Sequence, residues 1–341
     1  MTAAATAPQR TARPTMHRLP DGRWRRIEIF FWLLPAAAFF LLPGYLVLGS
    51  QILIIALFAL SLDLILGYAG IVSLGHAAFF GIGAYAAGLL AVQGWGEPLS
   101  GLLVAGALAA AVGYLVSFMV VRGEDLARLM VTLGIGLLLY EAANKAAFIT
   151  GGVDGLSGVT MWKLLGVFPF DLSGKVAYLY SLAVLFLLFV LMRRLVNSPF
   201  GLSLRGLREG GKRMPAIGVP VRSRQVLIFT IAAGVAGVAG ALLAQTTQFV
   251  GLEVLGFPRS AELLIMLVLG GAGRLYGALI GAALFMVAQE YFSGLNPVYW
   301  QFWIGLLLVM VVLFARGGII GAAETLCMRP WRNGNEGRAA H

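Results

Sequence analysis

Long apolar runs separated by short polar segments dominate the chain. A helix needs roughly 20 apolar residues to cross a bilayer, and on that ruler the chain carries about ten such segments. Glycines break the third and the eighth is short, so the count ranges over about eight to ten. The pattern predicts an all-α polytopic membrane protein, with segments at about 29–48, 51–68, 71–93, 99–121, 129–149, 176–196, 225–248, 260–273, 276–293 and 298–316.

Composition agrees with this fold class and excludes several others. Hydrophobic residues make up 60% of the 341 residues and charged residues 12%, whereas soluble domains carry about 25% charged residues. The single cysteine, Cys327, excludes an internal disulfide and a cysteine-based metal site. The three histidines are scattered, at positions 17, 76 and 341, and form no catalytic or ligand set. We therefore expect no enzyme activity, no metal and no cofactor.

Basic residues set the orientation. Six arginines lie in 1–26, eight lysines and arginines in 193–224 and four from Arg316 onward, against two in 148–175. The positive-inside tendency puts both termini and 193–224 in the cytoplasm and 148–175 outside, and ten crossings satisfy that parity. The net charge of +10 is thus explained by topology, and no nucleic acid partner is expected.

These counts divide the chain into three parts. We expect a disordered basic cytoplasmic tail at 1–26, a transmembrane domain at 27–322 with a cytoplasmic loop at 197–224, and a cytoplasmic C-terminal tail at 323–341.

The segment Gly67–Tyr85 is the most informative of the apolar runs. Five glycines, Ser73 and His76 interrupt it, and lipid tolerates such a break only where protein or a watery cavity satisfies the backbone. It therefore indicates a substrate path, with these candidate residues: Asp63, Gly70, Ser73, Gly75, His76, Gly81 and Gly83.

Each ionisable candidate has a structural alternative. For Asp63 a helix-packing or backbone-satisfying role is favoured over a path-lining one, and a buried histidine such as His76 is more often a hydrogen-bonded packing residue. Glu141 and Lys145 are one turn apart and are interpreted as a structural pair.

Other glycines indicate close packing of helices or an internal duplication. Gly277 and Gly281 form a small-xxx-small pair, and the set Gly234, Gly237 and Gly240 repeats at every third position. The break at 270–282 is glycine-dense like that at 70–84, as in transporters with two related halves.

The loop 193–224 carries the second strong signal. Ser198-Pro199 is typical of a helix start, and the leucines at 202, 204 and 207 predict an apolar side. Such a helix can lie on lipid or dock in a partner's groove. The alternative is a purely topological anchor. Gly206-x-x-x-x-Gly211-Lys212 imitates a phosphate-binding loop, but Arg213 stands where the motif needs Ser or Thr.

Both signals resemble one family, the permease subunits of branched-chain amino acid (LIV-type) ABC importers. The resemblance covers most of residues 50–322, and the shared order of the resembling blocks makes it specific. The departures are Val153 in place of a usual threonine, Gly210-Gly211 and Met214-Pro215. The resembling blocks are Gly67–Tyr85, Gly151–Gly158, Ser198–Val219, Phe229–Leu242, Leu267–Gly277 and Leu313–Gly321.

The resemblance implies a coupling helix that inserts into an ATPase subunit. Because Pro215 lies where relatives favour helix, we expect this helix to end early or to be split. The residues implied to couple the chain to the ATPase are Ser198, Pro199, Phe200, Gly201, Arg205, Arg208, Glu209, Ala216 and Gly218.

The resemblance also implies the setting. The chain would sit in the bacterial inner membrane, in contact with lipid, beside a second permease subunit (a heterodimer), cytoplasmic ATP-binding subunits and a periplasmic substrate-binding protein. Branched-chain amino acids are the first substrate class; urea, amides or other amino acids are alternatives within the family. An ion-coupled secondary transporter is a weaker alternative.

Overall fold

The computed structural model describes residues 26–123, 125–164, 166–170, 174–211, 213–314, 318–319 and 321. This part of the chain is helical, and its β-structure is confined to isolated bridges at Leu156–Val250 and Leu164–Phe168. The α-helices are α1 (Arg26–Leu41), α2 (Leu46–Asp63), α3 (Ala77–Val92), α4 (Pro98–Val120), α5 (Asp125–Lys145), α6 (Ala147–Thr150), α7 (Lys175–Val196), α8 (Pro199–Gly210), α9 (Val221–Thr247), α10 (Phe257–Gly270), α11 (Leu275–Leu295) and α12 (Trp300–Phe314).

Each of the ten predicted apolar segments overlaps one of these helices. By length and apolar composition, six stretches of the described chain are able to span a bilayer: Pro43–Tyr68, Pro98–Val120, Leu126–Lys145, Lys175–Val196, Val221–Thr247 and Leu275–Leu295. The prediction of an all-helical polytopic membrane protein is confirmed. Apart from Arg26, the predicted tails 1–26 and 323–341 lie outside the described residues.

The predicted border between the first two segments is wrong. The sequence pattern put it at 48–51, but α1 ends at Leu41, a 3₁₀ turn covers Pro43–Tyr45 and α2 begins at Leu46. Leu42 has φ −127° and ψ 58°, because the ring of a following proline disfavours helical backbone before it. The third segment also starts late: its helix begins at Ala77 and not near 71.

Helix α2 lies at the centre of the fold. It packs against α7, α9, α10 and α11, and from Leu53 to Asp63 every residue is buried. A helix that is apolar on all sides is expected to be surrounded by protein or lipid. Here protein surrounds it, so that α2 places its C-terminal end, where the predicted break begins, inside the molecule.

Small residues let α3, α4 and α9 approach closely, as the glycine spacing predicts. A Cβ at Gly237 would overlap Ala109 of α4, and one at Gly240 would overlap the backbone oxygen of Phe80 in α3. Between α10 and α11, a Cβ at Gly281 would overlap the backbone of α10. The sequence-based packing prediction is confirmed at these glycines.

The Glu141–Lys145 pair is also confirmed. Their charged atoms are 3.9 Å apart, one turn apart on an exposed side of α5.

Replacement of Gly240 by alanine tests the α3–α9 contact. Because the new methyl group meets backbone and not a movable side chain, we expect Gly240→Ala to lower the free energy of unfolding by about 1–3 kcal/mol. The measurement is the unfolding midpoint of the purified protein in detergent. Gly134→Ala in α5 is the matched control, since nothing lies within 4 Å of its new Cβ. Equal midpoints for the two variants would contradict the packing.

Candidate functional site at the broken helix

The chain between α2 and α3 is a broken membrane helix. After α2 a single π-helical turn covers Leu64–Tyr68, and the chain then runs without regular structure to α3. Protein groups satisfy its backbone: Leu74 N–H donates to Thr132 Oγ1 of α5 at 3.2 Å, and Ala77 N–H donates to Ser260 Oγ of α10 at 2.9 Å. The break is therefore held by two neighbouring helices, as a bilayer interior requires.

Asp63, at the end of α2, accepts a hydrogen bond from a backbone N–H group. It is fully buried, and its Oδ1 accepts a hydrogen bond of 2.7 Å from the backbone N–H of Gly273, in the loop between α10 and α11. This contact agrees with the favoured interpretation of Asp63 as a backbone-satisfying residue. Its path-lining role stays a prediction.

Ser73 and His76 lie buried beside the break. The His76 Nε2 and Ser61 Oγ atoms are 2.9 Å apart, and the imidazole stacks on Phe58 with ring centroids 5.8 Å apart. The Ser73 hydroxyl has no hydrogen-bond partner among the described residues. His76 thus sits as a hydrogen-bonded packing residue in this conformation, which is the more ordinary of its two interpretations.

The predicted path glycines allow close contacts between segments. A Cβ at Gly75 would overlap the carbonyl oxygen of Thr132, and one at Gly83 would overlap that of Gly237. Gly81 meets the side chain of Leu255, and Gly70, with φ +71°, faces Arg208. A role for these glycines in lining a path stays a prediction; what the structure establishes is close packing.

The predicted helix in the basic loop is α8, and its start is as expected. Ser198 has extended backbone and its Oγ accepts from Gly201 N–H at 3.4 Å, with Pro199 as the first helical residue. Leu204 and Leu207 are buried, but Leu202 is exposed, so the apolar side was predicted correctly at two of three positions.

The predicted early end of this helix is confirmed. α8 stops at Gly210, and a separate 3₁₀ turn covers Met214–Ile217 with Pro215 near its start. Gly218 ends that turn with φ +81°, a conformation that residues with a Cβ rarely adopt. The imitation of a phosphate-binding loop fails structurally, because Gly206 lies inside α8 and not in a loop after a strand.

The remaining coupling candidates differ in exposure. Arg208 and Glu209 of α8 are exposed, as are Ala216 in the 3₁₀ turn and Gly218 after it. Phe200 is partly buried, with the guanidinium of Arg224 5.1 Å from its ring centroid.

Arg205 and Arg208 join α8 to the broken helix. The Arg205 guanidinium lies 5.4 Å from the centroid of the Tyr68 ring. Arg208 Nη1 donates a hydrogen bond to the carbonyl oxygen of Gly67, at the end of the π-helical turn. A cavity of about 370 Å³ opens between these segments, lined by Gly67, Tyr68, Arg205, Arg208, Glu209 and Gly273.

Three residues that line this cavity are absent from the sequence-based candidates: Gly67 and Tyr68, which lie within the predicted path segment, and Gly273. The glycine density of 270–282 was a signal that the backbone approaches something closely there. Nothing in the spacing identifies the partner, since Gly273 and Asp63 are 210 positions apart.

The sequence of residues 45–312 matches the model of a family described as "Branched-chain amino acid transport system / permease component". The chain belongs to this family. It is a permease component of a transport system and a multi-pass protein of the bacterial inner membrane.

Individual relatives are similar over most of the chain. The high-affinity branched-chain amino acid transport permease LivM of Escherichia coli is 30% identical, across 88% of this chain and 76% of its own. LivM of Methanocaldococcus jannaschii, a probable permease of the same kind, is 24% identical, across 77% and 89%. LivH of Escherichia coli is 25% identical, across 79% and 92%. No solved structure matches the chain.

Replacement of Gly273 by alanine tests the close contact at the cluster. Gly273 has φ +85°, and a Cβ there would lie 2.9 Å from the carbonyl oxygen of Gly67 and press on Arg208. Gly218 has a similar φ of +81°, with nothing within 4 Å of a new Cβ. Both alanines carry the left-handed strain of about 1–3 kcal/mol. Because Gly273→Ala adds an overlap, we expect its unfolding midpoint in detergent to fall further than that of Gly218→Ala. A smaller fall for Gly273→Ala would contradict the contact.

Proposed function

We propose that this chain is the membrane-spanning subunit of an ATP-driven importer of branched-chain amino acids, and that α8 is the helix through which a separate ATPase drives it. The observation that carries the proposal is the family match over 45–312 together with the way α8 is held. Arg208 hydrogen-bonds the broken helix, and both Arg208 and its neighbour Glu209 at the end of α8 are exposed.

The topology belongs to the proposal. In this proposal, the ten described helices that remain when α6 and α8 are set aside cross or enter the membrane. Both termini are cytoplasmic, and α8 lies on the cytoplasmic side. The basic content of 193–224 supports this orientation. It places α8 where a soluble nucleotide-binding protein reaches it.

The partners follow from the absence of a phosphate-binding loop in the sequence and from the names of the relatives. ATP hydrolysis is assigned to separate cytoplasmic subunits, and substrate delivery to a periplasmic binding protein. Escherichia coli has permeases named LivM and LivH, and both are similar to this chain. That pair supports a heterodimer of two related permease subunits here.

The transport cycle then uses the broken helix. Closure of the ATPase subunits pushes on 198–219, and Arg208 transmits the push to Gly67 through its hydrogen bond. The spans rock, and the polar seam along Gly67–Tyr85 opens to one side of the membrane and then to the other. Small residues along that seam let the helices slide past one another without large side chains in the way.

The proposed substrate class rests on the relatives and not on contacts within this structure. Branched-chain amino acids are favoured because they appear in the printed names of the relatives. Calorimetric binding of leucine, urea and acetamide to the cognate periplasmic protein distinguishes this class from the other substrates of the family.

Removal of both charged side chains at the end of α8 tests the coupling role. In the Arg208→Ala/Glu209→Ala double variant we expect the complex to assemble and ATP hydrolysis to continue, while uptake falls by about tenfold or more, as for loss of a coupling free energy of ordinary size. The measurement is ATP-dependent uptake by proteoliposomes, with phosphate release recorded in parallel.

The matched control removes another exposed charged pair, Glu141→Ala/Lys145→Ala, which lies on a different helix, α5. Normal uptake by the α8 variant would refute the coupling role. Failure of the unaltered chain to copurify with any ATP-hydrolysing subunit would refute the importer itself.

A further inference from the structure

Three segments that are distant in sequence are tied together by two hydrogen bonds. Asp63 of α2 accepts from the backbone N–H of Gly273 at 2.7 Å. Arg208 of α8 donates to the backbone oxygen of Gly67. We call these four residues, Asp63, Gly67, Arg208 and Gly273, the latch.

The backbones in the latch are in direct contact. A Cβ at Gly67 would overlap both the Asp63 carboxylate and the N–H of Gly273, and a Cβ at Gly273 would press on the Arg208 guanidinium and the Gly67 oxygen. Neither glycine leaves room for a side chain at these contacts. Movement of one segment is therefore transferred to the others by direct contact at these atoms.

Burial of the polar groups of the latch costs free energy. Asp63 is completely buried, its second carboxylate oxygen has no hydrogen-bond partner among the described residues, and the Arg208 charge acts on it. A buried ionisable group inside a membrane helix is a functional candidate by default. An apolar residue at position 63 would suit the buried surroundings, but it would not hold the N–H of Gly273.

The latch reaches both sides of the broken helix. Gly273 lies in the loop between α10 and α11, and α10 also carries Ser260, which accepts the first N–H of α3. A displacement of α8 thus reaches the end of α2 through Gly67 and the start of α3 through Gly273, α10 and Ser260.

We propose that Asp63 is a positioning residue of the transport cycle: by holding Gly273 it makes the α10–α11 loop move together with α8 when ATP binds. This inference rests on the proposed function, since it requires a motor that acts on α8. It assigns Asp63 to coupling and not to contact with substrate.

The experiment measures whether the two segments move together. Spin labels are attached at Leu202→Cys on α8 and Ala272→Cys in the loop, in a Cys327→Ser background, in the assembled complex. Pulsed dipolar spectroscopy records the label distance without nucleotide and with ATP trapped. In the otherwise unaltered chain we expect one narrow distance that ATP does not change.

Asp63→Leu removes the acceptor while keeping the number and branching of the side-chain heavy atoms. We expect its label distance to broaden and to shift when ATP binds, and substrate transported per ATP hydrolysed to fall about tenfold. Asp63→Asn keeps an oxygen acceptor and is expected to restore the single narrow distance. Thr230→Val is the control, because that hydroxyl donates to Val226 O within its own helix.

The outcomes separate the latch from the importer. An ATP-independent narrow distance in Asp63→Leu, with an unaltered ratio of transport to hydrolysis, overturns the latch while the importer stands. If Asp63→Leu does not assemble, Arg208→Met on exposed α8 cuts the other bond, and an unaltered distance there overturns the latch too. If the unaltered complex neither binds an ATPase nor transports, the proposed function itself is wrong.

Discussion

A break in a membrane helix must have its backbone polar groups satisfied by protein, and the rest of this structure depends on how that is done. Between α2 and α3 the N–H groups of Leu74 and Ala77 are taken by Thr132 of α5 and Ser260 of α10. Asp63, at the end of α2, accepts a hydrogen bond from the N–H of Gly273. Because each partner sits on a different helix, a shift of the break must either move those helices or provide these groups with other partners.

Glycine makes the arrangement possible. At Gly67, Gly75, Gly83 and Gly273 the neighbouring backbone occupies the place of a side chain. This packing explains why a segment with the composition of a channel lining is buried in the present conformation. The lack of side chains at these glycines permits close contact and also lets the segments slide past one another. A transporter that alternates between two conformations requires such sliding. Packing in one state and a path in another are therefore compatible roles for these residues.

The sequence predictions were most accurate for features that depend on interactions within a few residues. The start of α8 at Ser198-Pro199 and its end before Pro215 were predicted because capping and proline act within a few residues. The border at Pro43 was missed because a continuous apolar run hid a local backbone effect. Leu202 was assigned to the wrong side of α8, since tertiary contact decides which face is buried. The bond between Asp63 and Gly273 joins positions that no periodicity connects.

The central claim is that α8 carries force from a separate ATPase to the broken helix. The most direct measurement places a photo-crosslinking amino acid at Glu209, the exposed end of α8 beside Arg208, in membranes of cells that express the whole transport system. The account predicts one protein adduct, with the ATP-hydrolysing subunit, and loss of that adduct when the crosslinker is moved to Glu141. An adduct with the periplasmic binding protein, or with lipid alone, would contradict it.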